Sequence, residues 1–154
     1  MSEYYCEKNY QVIGCSRNKS DFENENYRHY ELDVTNEFAV KRIFVEVRKL
    51  FGKLDVLINN AGIASMNHIM LTPVKTVKDI FDTNFLGSFI FCREASKIMS
   101  KNKSGRIINF SSVAVDLNLE GESIYAASKS ALVTFTKILA KELRSYHITV
   151  NSIG

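Results

Sequence analysis

Residues 54–62 read Leu-Asp-Val-Leu-Ile-Asn-Asn-Ala-Gly, in which a short apolar run passes directly into two asparagines and a glycine. An apolar run of this length, rich in Val, Ile and Leu, predicts a strand over Leu54–Ile58 that is buried on both faces. The polar residues and the glycine that follow predict its end. Gln11–Cys15 is a similar short apolar run, and two further stretches are also predicted to be strands: Tyr27–Leu32 and Arg106–Phe110.

Helical patterns lie between these predicted strands. Apolar side chains recur at helical intervals from Glu37 to Phe51, and similar patterns predict helices over Val77–Ser100 and Ile124–Tyr146. Ser2–Lys8 has the features of the last turns of a helix, and Thr149–Ile153 begins a last strand. Strands that alternate with long helices predict a single α/β domain with a doubly wound parallel sheet.

Chemically distinctive residues follow four of the predicted strands. They are Arg17, Asp33, the segment Asn59–Gly62 and the pair Ser111–Ser112. In doubly wound sheets, ligands bind beyond the carboxyl ends of the strands. The sequence therefore predicts a ligand site at this edge of the sheet.

Composition argues against several kinds of partner. The 154 residues are 45% hydrophobic, and 20 basic and 17 acidic residues are spread along the chain for a formal net charge of +3. We therefore expect neither nucleic acid nor a membrane surface as a partner. Without an apolar stretch of ~18 residues or a secretory signal, the chain is expected to be cytoplasmic. The three cysteines and three histidines show no metal-ligand spacing, so no metal site is expected.

Tyr125 and Lys129 are four residues apart at the start of the last helical pattern, so one helix face should carry both side chains. An ammonium group close to a phenol favours the phenolate, which makes the tyrosine a candidate general acid or base. Tyrosine and lysine at this spacing also occur on many surface helices. The pair alone therefore leaves a catalytic site and an ordinary helix surface as alternatives.

Four features in order resemble the short-chain dehydrogenase/reductase family. Asn59-Asn60-Ala61-Gly62 is similar to the family's NNAG motif, and Tyr125-Ala-Ala-Ser-Lys129 to its YxxxK motif. Ser112 lies thirteen residues before Tyr125, and Asn84 in Thr-Asn-Phe-Leu-Gly is similar to the family's helix asparagine. The resemblance runs from Asn9 to Gly154 and implies a Rossmann-like fold. Within the family, Asp55–Gly62 and Ile148–Ser152 most resemble 3-oxoacyl-acyl-carrier-protein reductases, although alcohol and sugar dehydrogenases share these phrases.

The resemblance implies the reduction of a ketone to a secondary alcohol. Tyr125 would donate the proton, and Lys129 would favour its phenolate form and hold the nicotinamide ribose. Ser112 would hydrogen-bond the carbonyl oxygen, where negative charge develops. Asn84 would hold a water molecule that relays protons to Lys129. Without the resemblance, Ser112 would be interpreted as a turn hydroxyl and Asn84 as an ordinary polar helix residue.

The resemblance also implies a nicotinamide cofactor. Arg17 stands where NAD-selective members carry an acidic residue, and a guanidinium there can pair with the 2′-phosphate of NADP. NADPH is therefore expected in preference to NADH, the alternative being that Arg17 is only a solvated surface arginine. The other expected cofactor contacts are Asp33, Val34, Asn60, Ala61 and Gly62, with Tyr125 and Lys129 at the nicotinamide end.

The sequence departs from the family pattern at both ends. No glycine-rich TGxxxGxG turn precedes Gln11–Cys15, and the final strand and substrate loop expected after Gly154 are absent. Because the family's first strand lies between the strands predicted at Gln11–Cys15 and Leu54–Ile58, we expect an incomplete sheet that is split there and has unpaired edges. A second departure is Val115-Asp116, where relatives carry glycine.

These departures leave two hypotheses. In the first, the chain is a segment of a reductase that forms dimers or tetramers and acts on a small or acyl-carrier-bound carbonyl compound. In the second, the chain is a non-catalytic remnant that cannot bind the cofactor. It then exists either as a misfolded chain or as an interaction partner of intact subunits through Val77–Ser100 and Ile124–Tyr146.

Overall fold

The computed structural model describes all residues, 1–154, as alternating helices and strands. In chain order the elements are α1 (Ser2–Glu7), β1 (Val12–Ser16), β2 (Tyr27–Glu31), α2 (Glu37–Phe51), β3 (Val56–Asn59), α3 (Val74–Phe81), α4 (Ser88–Asn102), β4 (Gly105–Phe110), α5 (Ala114–Leu117), α6 (Ser123–Glu142) and β5 (Ile148–Ile153). A π-helical segment, Asp82–Gly87, joins α3 to α4, and short 3₁₀ turns lie at Ile69–Leu71 and Arg144–Tyr146. None of the helices combines the length and apolar character that a membrane crossing requires.

Every strand pairing is parallel, as the sequence predicts. Strand β1 pairs with β2 in a two-stranded sheet, and β3, β4 and β5 form a three-stranded sheet in that order. No strand joins the two sheets, so β1 and β3 each have one unpaired edge. The expected split between these two strands is therefore confirmed.

Helix α2 has the bounds that its sequence predicts. The Asn36 side chain accepts a hydrogen bond from the Ala39 amide at 3.1 Å and caps the first turn. Gly52 ends the helix with a φ of 68°, in the left-handed region that glycine adopts without steric cost. The buried face of α2 contributes Val40 and Phe44 to the core.

One apolar core connects the helices to both sheets. It contains 15 buried residues, among them Val40 of α2, Met99 of α4 and Ile107 of β4, all 0% exposed. Ile13 and Cys15 of β1 are partly buried against the same cluster. The two-stranded sheet is therefore held to the rest of the molecule by side-chain packing, without strand pairing.

The prediction of one uninterrupted helix over Val77–Ser100 is wrong. The helical stretch begins at Val74, ends at Asn102 and contains the π-helical segment Asp82–Gly87. Tertiary contacts account for this interruption, because Asn84 is fully buried there and a Cβ atom at Gly87 would lie 2.8 Å from Cγ2 of Val34. The segment between β4 and α6, for which the sequence predicts a loop over Ser111–Ser123, contains the short helix α5 instead.

Candidate active site

Lys129 is a buried cation at the centre of the candidate site. Its side chain extends from α6, the residue is 4% exposed, and Nζ donates a hydrogen bond to the Phe110 carbonyl oxygen at 2.7 Å. Burial lowers the pKa of the Lys129 ammonium group. An ammonium group has three N–H donors and only one of them has an acceptor within the chain, so two donors are available to a ligand.

Tyr125 is close to Lys129, as the helical spacing predicts. The Lys129 ammonium lies 6.0 Å from the centroid of the Tyr125 ring, in cation–π range. Tyr125 is half-buried. The Tyr125 backbone carbonyl accepts a hydrogen bond from the Ser128 hydroxyl, and the phenolic hydroxyl of Tyr125 has no partner within the chain. This hydroxyl can therefore hydrogen-bond to a substrate.

Asn84 connects the π-helical segment to the candidate site. Its Oδ1 accepts from the Ile63 amide at 2.8 Å, and its Nδ2 donates to the Ile63 carbonyl at 3.0 Å. Nδ2 also donates to the Ser128 hydroxyl at 2.9 Å, and that hydroxyl donates to the Tyr125 carbonyl at 2.7 Å. Asn84 thus fixes the backbone after the NNAG segment against the helix that carries Tyr125 and Lys129.

The segment Asn60–Gly62 is exposed at the carboxyl end of β3. A Cβ atom at Gly62 would lie 3.3 Å from the Lys129 ammonium nitrogen and 3.4 Å from Oδ1 of Asn84. These distances are tighter than ordinary contacts, so glycine allows the backbone to approach both side chains closely.

The Ser112 hydroxyl is engaged locally. It accepts a hydrogen bond from the Ala114 amide at 3.2 Å and makes none to Tyr125. The Ser112 backbone lies against Gly154, where a Cβ atom would be 2.8 Å from the Ser112 nitrogen. The hydroxyl can still donate a hydrogen bond, because its only contact within the chain uses a lone pair.

The predicted contacts for the adenosine half of the cofactor form a second group. Arg17 and Asp33 are exposed, and Arg17 forms no salt bridge. The pKa of the Asp33 carboxyl is lowered by hydrogen bonds from the Thr35 amide and hydroxyl and by the positive charge of Arg17. Val34 packs against Gly87 of the π-helical segment, which connects this group to the part of the chain around Asn84.

The residues present fit part of a nicotinamide dinucleotide. Lys129 retains two unpaired donors that suit ribose hydroxyls, and the guanidinium of Arg17 is free to meet a phosphate. Gly62 allows close approach to the backbone. No glycine-rich turn is present to receive the pyrophosphate, so the fit is limited to the two ends of the cofactor.

Sequence reasoning missed a buried polar chain beneath the site. Nδ2 of Asn59 donates to Oδ1 of Asn109 at 2.8 Å, and Nδ2 of Asn109 donates to the Thr136 hydroxyl at 2.8 Å. Asn109 is 0% exposed and Thr136 2% exposed. This series of hydrogen bonds runs from β3 through β4 to α6. The signal in the sequence was a single asparagine, Asn109, in the otherwise apolar run Ile107–Phe110.

Ser128 was also missed. It lies within the Tyr125–Lys129 motif and is fully buried between Asn84 and the backbone of α6. The only feature of the sequence that indicated a role for Ser128 was its position directly before Lys129. Its hydroxyl both accepts and donates, so it connects the asparagine of the π-helical segment to the first turns of α6.

Comparisons with known proteins agree with this geometry. The family model described as short chain dehydrogenase matches residues 1–154. A 3-oxoacyl-[acyl-carrier-protein] reductase of Vibrio cholerae is 32% identical over 160 residues, which is 100% of this chain and 66% of that enzyme. The chain therefore spans just under two thirds of that relative's length.

Solved structures with bound cofactor have the same fold. The structure of ElxO with NADP bound is 32% identical in sequence and superposes with a TM-score of 0.90. The matched region is 97% of this chain and 64% of the ElxO chain. A NAD⁺-bound xylitol dehydrogenase is also 32% identical, with a TM-score of 0.80. The matched region is 83% of this chain and 50% of the xylitol dehydrogenase chain. The resemblance noted from the motifs is confirmed, and the chain belongs to the short-chain dehydrogenase family.

Proposed function

We propose that the protein carrying residues 1–154 reduces a ketone of the 3-oxoacyl type to a secondary alcohol, with NADPH as the preferred cofactor. The observation that carries the proposal is the buried Lys129 ammonium, which has two donors to spare beside the unpartnered hydroxyl of Tyr125. A buried cation next to a free phenol favours proton transfer from that phenol.

In the proposed mechanism, Lys129 and Gly62 would help to hold the nicotinamide end of the cofactor, which would be the source of the hydride for the carbonyl carbon. Tyr125 donates its phenolic proton to the carbonyl oxygen, and the positive charge of Lys129 stabilises the phenolate that is left. Ser112 donates a hydrogen bond to the same oxygen as negative charge develops there. The two spare donors of Lys129 would also hold the ribose hydroxyls of the cofactor. Asn84 would hold a water molecule that relays protons between Lys129 and solvent.

The cofactor preference is supported by the charge of Arg17. This guanidinium is exposed and free of salt bridges, as a contact to a 2′-phosphate requires. Asp33, Val34, Asn60, Ala61 and Gly62 would line the rest of the cofactor. Known structures similar to this chain include one with NADP and one with NAD⁺, so the preference itself needs a direct test.

For the substrate, similarity to a 3-oxoacyl-[acyl-carrier-protein] reductase supports a small or acyl-carrier-bound carbonyl compound. Similarity to a xylitol dehydrogenase keeps sugar and other secondary alcohols as the alternative. We also propose that the protein assembles into a homo-oligomer, either a dimer or a tetramer, in which exposed apolar side chains such as Leu86 (39%) and Ile138 (52%) would be covered.

A second candidate function is a non-catalytic chain that does not bind the cofactor. The observation that favours it is the split sheet, in which β1 and β3 each have an unpaired edge. Unpaired edges favour association with other chains. In this case the helical surface would contact other subunits and Tyr125 would perform no chemistry.

Cofactor titration and one substitution separate the two candidates. NADPH should bind the protein and raise its unfolding temperature. Tyr125→Phe should lower turnover about 10²- to 10⁴-fold while leaving the unfolding temperature and NADPH affinity unchanged. Unchanged turnover in Tyr125→Phe would remove this residue from the mechanism. A protein that NADPH neither binds nor protects against heat would support the non-catalytic candidate.

A further inference from the structure

His29 joins β2 to the turn that follows β1. It lies on β2 directly opposite Gly14 of β1. Its Nε2 is 2.9 Å from the Asn18 carbonyl oxygen and 3.2 Å from the Ser16 hydroxyl. Its Nδ1 is 2.9 Å from the Tyr27 hydroxyl. One imidazole ring therefore contacts both residues that flank Arg17.

The partners determine which nitrogen of His29 carries the proton. A backbone carbonyl can only accept, so Nε2 must carry hydrogen and donate to Asn18. In the neutral ring, Nδ1 is then the acceptor and the Tyr27 hydroxyl donates to it. The Ser16 hydroxyl also donates to the Asn18 carbonyl, at 2.6 Å. The Asn18 carbonyl is thus fixed by two donors from different strands.

Tyr27 gives the His29 ring a firm support. The Tyr27 ring packs over Gly14, where a Cβ atom would lie 2.8 Å from its Cε2 and 2.9 Å from its Cζ. Only glycine leaves room for the ring at that position. The other side of the ring meets Phe22 in an edge-on contact with centroids 5.0 Å apart. Because Tyr27 is held by packing, its hydroxyl holds His29 in one orientation.

These contacts leave Arg17 between two anchored neighbours. Arg17 is exposed and has no salt bridge, while Ser16 and Asn18 on either side are tied to His29. A guanidinium whose backbone is already fixed loses less conformational entropy when it binds an anion. The arrangement is therefore suited to a small phosphorylated group at the end of β1.

We propose that His29 is a positioning residue that sets the selectivity of the protein for the 2′-phosphate of NADPH, by fixing the turn that carries Arg17. The inference rests on the proposed cofactor preference and adds to it a residue that does not touch the cofactor. Its specific consequence is that His29 affects ligands with a 2′-phosphate and leaves ligands without one unaffected.

The test measures binding by calorimetric titration of the full chain. Four ligands are compared: NADPH, NADH, 2′,5′-ADP and 5′-AMP, so that the 2′-phosphate is isolated both in whole cofactors and in fragments. His29→Phe keeps an aromatic ring and removes all three polar contacts of the imidazole, with Ser16, Asn18 and Tyr27. It should weaken NADPH and 2′,5′-ADP about two- to tenfold and leave NADH and 5′-AMP unchanged.

Two further variants serve as controls. His29→Gln keeps an N–H donor for the Asn18 carbonyl and should restore most of the lost NADPH affinity. Arg17→Leu removes the phosphate contact itself and should weaken NADPH about ten- to hundredfold without affecting NADH. Amide hydrogen exchange of Arg17 and Asn18, measured by NMR, should be faster in His29→Phe than in His29→Gln, because the turn is no longer held.

The outcomes distinguish the inference from the function on which it rests. If Arg17→Leu lowers NADPH affinity and His29→Phe does not, the inference is wrong and the NADPH preference stands. If His29→Phe weakens NADPH and NADH equally, His29 only maintains the sheet and the inference is again wrong. If Arg17→Leu leaves the NADPH-to-NADH ratio unchanged, or no ligand binds at all, the proposed NADPH preference fails and the inference fails with it.

Discussion

Thr136→Val tests whether the buried polar chain stabilises the fold by hydrogen bonding. The Thr136 hydroxyl accepts from Nδ2 of Asn109 at 2.8 Å and donates to the Leu132 carbonyl at 2.7 Å. Valine has nearly the same shape, so the substitution removes the acceptor and creates no cavity. Because Asn109 is 0% exposed, water cannot replace the lost partner.

The expected cost follows from the group that is left without a partner. A buried donor without an acceptor costs about 1–3 kcal/mol. Burying a methyl group in place of the hydroxyl offsets about 0.8 kcal/mol of this. The free energy of unfolding should therefore fall by roughly 0.2–2.2 kcal/mol. Urea unfolding followed by circular dichroism measures this change as a shift in midpoint at constant slope.

Asn109→Leu provides the matched background for Thr136→Val. In that background position 109 has no Nδ2 donor that could lose its acceptor, so Thr136→Val should be neutral or slightly stabilising. A double-mutant cycle should therefore give a coupling of about 1–2 kcal/mol between the two positions. An equal cost of Thr136→Val in both backgrounds would refute the idea that the hydrogen bond carries the effect, and would assign the loss to packing alone.

Three other substitutions or conditions test separate parts of the structure. Gly62→Ala should push the Lys129 ammonium away by a few tenths of an ångström and lower turnover roughly three- to tenfold with an unchanged unfolding midpoint, which steady-state kinetics and urea unfolding can check. Burial raises the pKa of the Cys92 thiol to about 12, so iodoacetamide at pH 8 should label it only after denaturation; rapid labelling of the native protein would contradict its burial. Hydrogen bonds from Lys41 and Arg93 lower the pKa of the Glu37 carboxyl from 4.5 to about 2. The contribution of Glu37 to stability should therefore be present above pH 4.5 and be lost as the pH falls towards 2. Thermal unfolding should accordingly depend less on pH in this range for Glu37→Gln than for the unchanged protein.

Helix α2 shows why much of the fold could be predicted from the sequence. Its start and end depend on Asn36 and Gly52, whose capping roles are local, and its apolar periodicity is unbroken between them. Most of the strands were predicted from short, largely apolar runs, and the structure moves their ends by only one or two residues. Local signals of this kind act within one element, so one sequence is enough to detect them.

The π-helical segment could not be predicted because its cause lies elsewhere in the chain. Phe81, Phe85 and Phe89 recur every four residues, as expected for a continuous α-helix. The interruption depends on contacts with Val34 and Ile63, which lie more than twenty residues before Asn84. Functional sites often contain such π-helical turns.

In the candidate site too, contacts within one helix could be predicted from the sequence, whereas contacts between distant residues could not. Tyr125 and Lys129 were predicted to be neighbours from their spacing on one helix, and the structure brings them together. The roles of Asn84 and Ser112 rest on the family resemblance and stay predictions. The buried hydrogen bond between Asn59 and Asn109 was missed because these two residues are 50 positions apart in the sequence. Pairing between single buried polar residues leaves no periodic pattern.

The two groups of candidate residues are held on different sheets. Lys129 is attached to the carboxyl end of β4 through the Phe110 carbonyl, whereas Arg17 follows β1 of the separate two-stranded sheet. Core packing and the contact between Val34 and Gly87 connect the sheets, with no strand pairing between them. A dinucleotide that met Arg17 at one end and Lys129 at the other would span this division. By thermodynamic linkage, cofactor binding and the association of the two sheets would then stabilise each other by the same free energy.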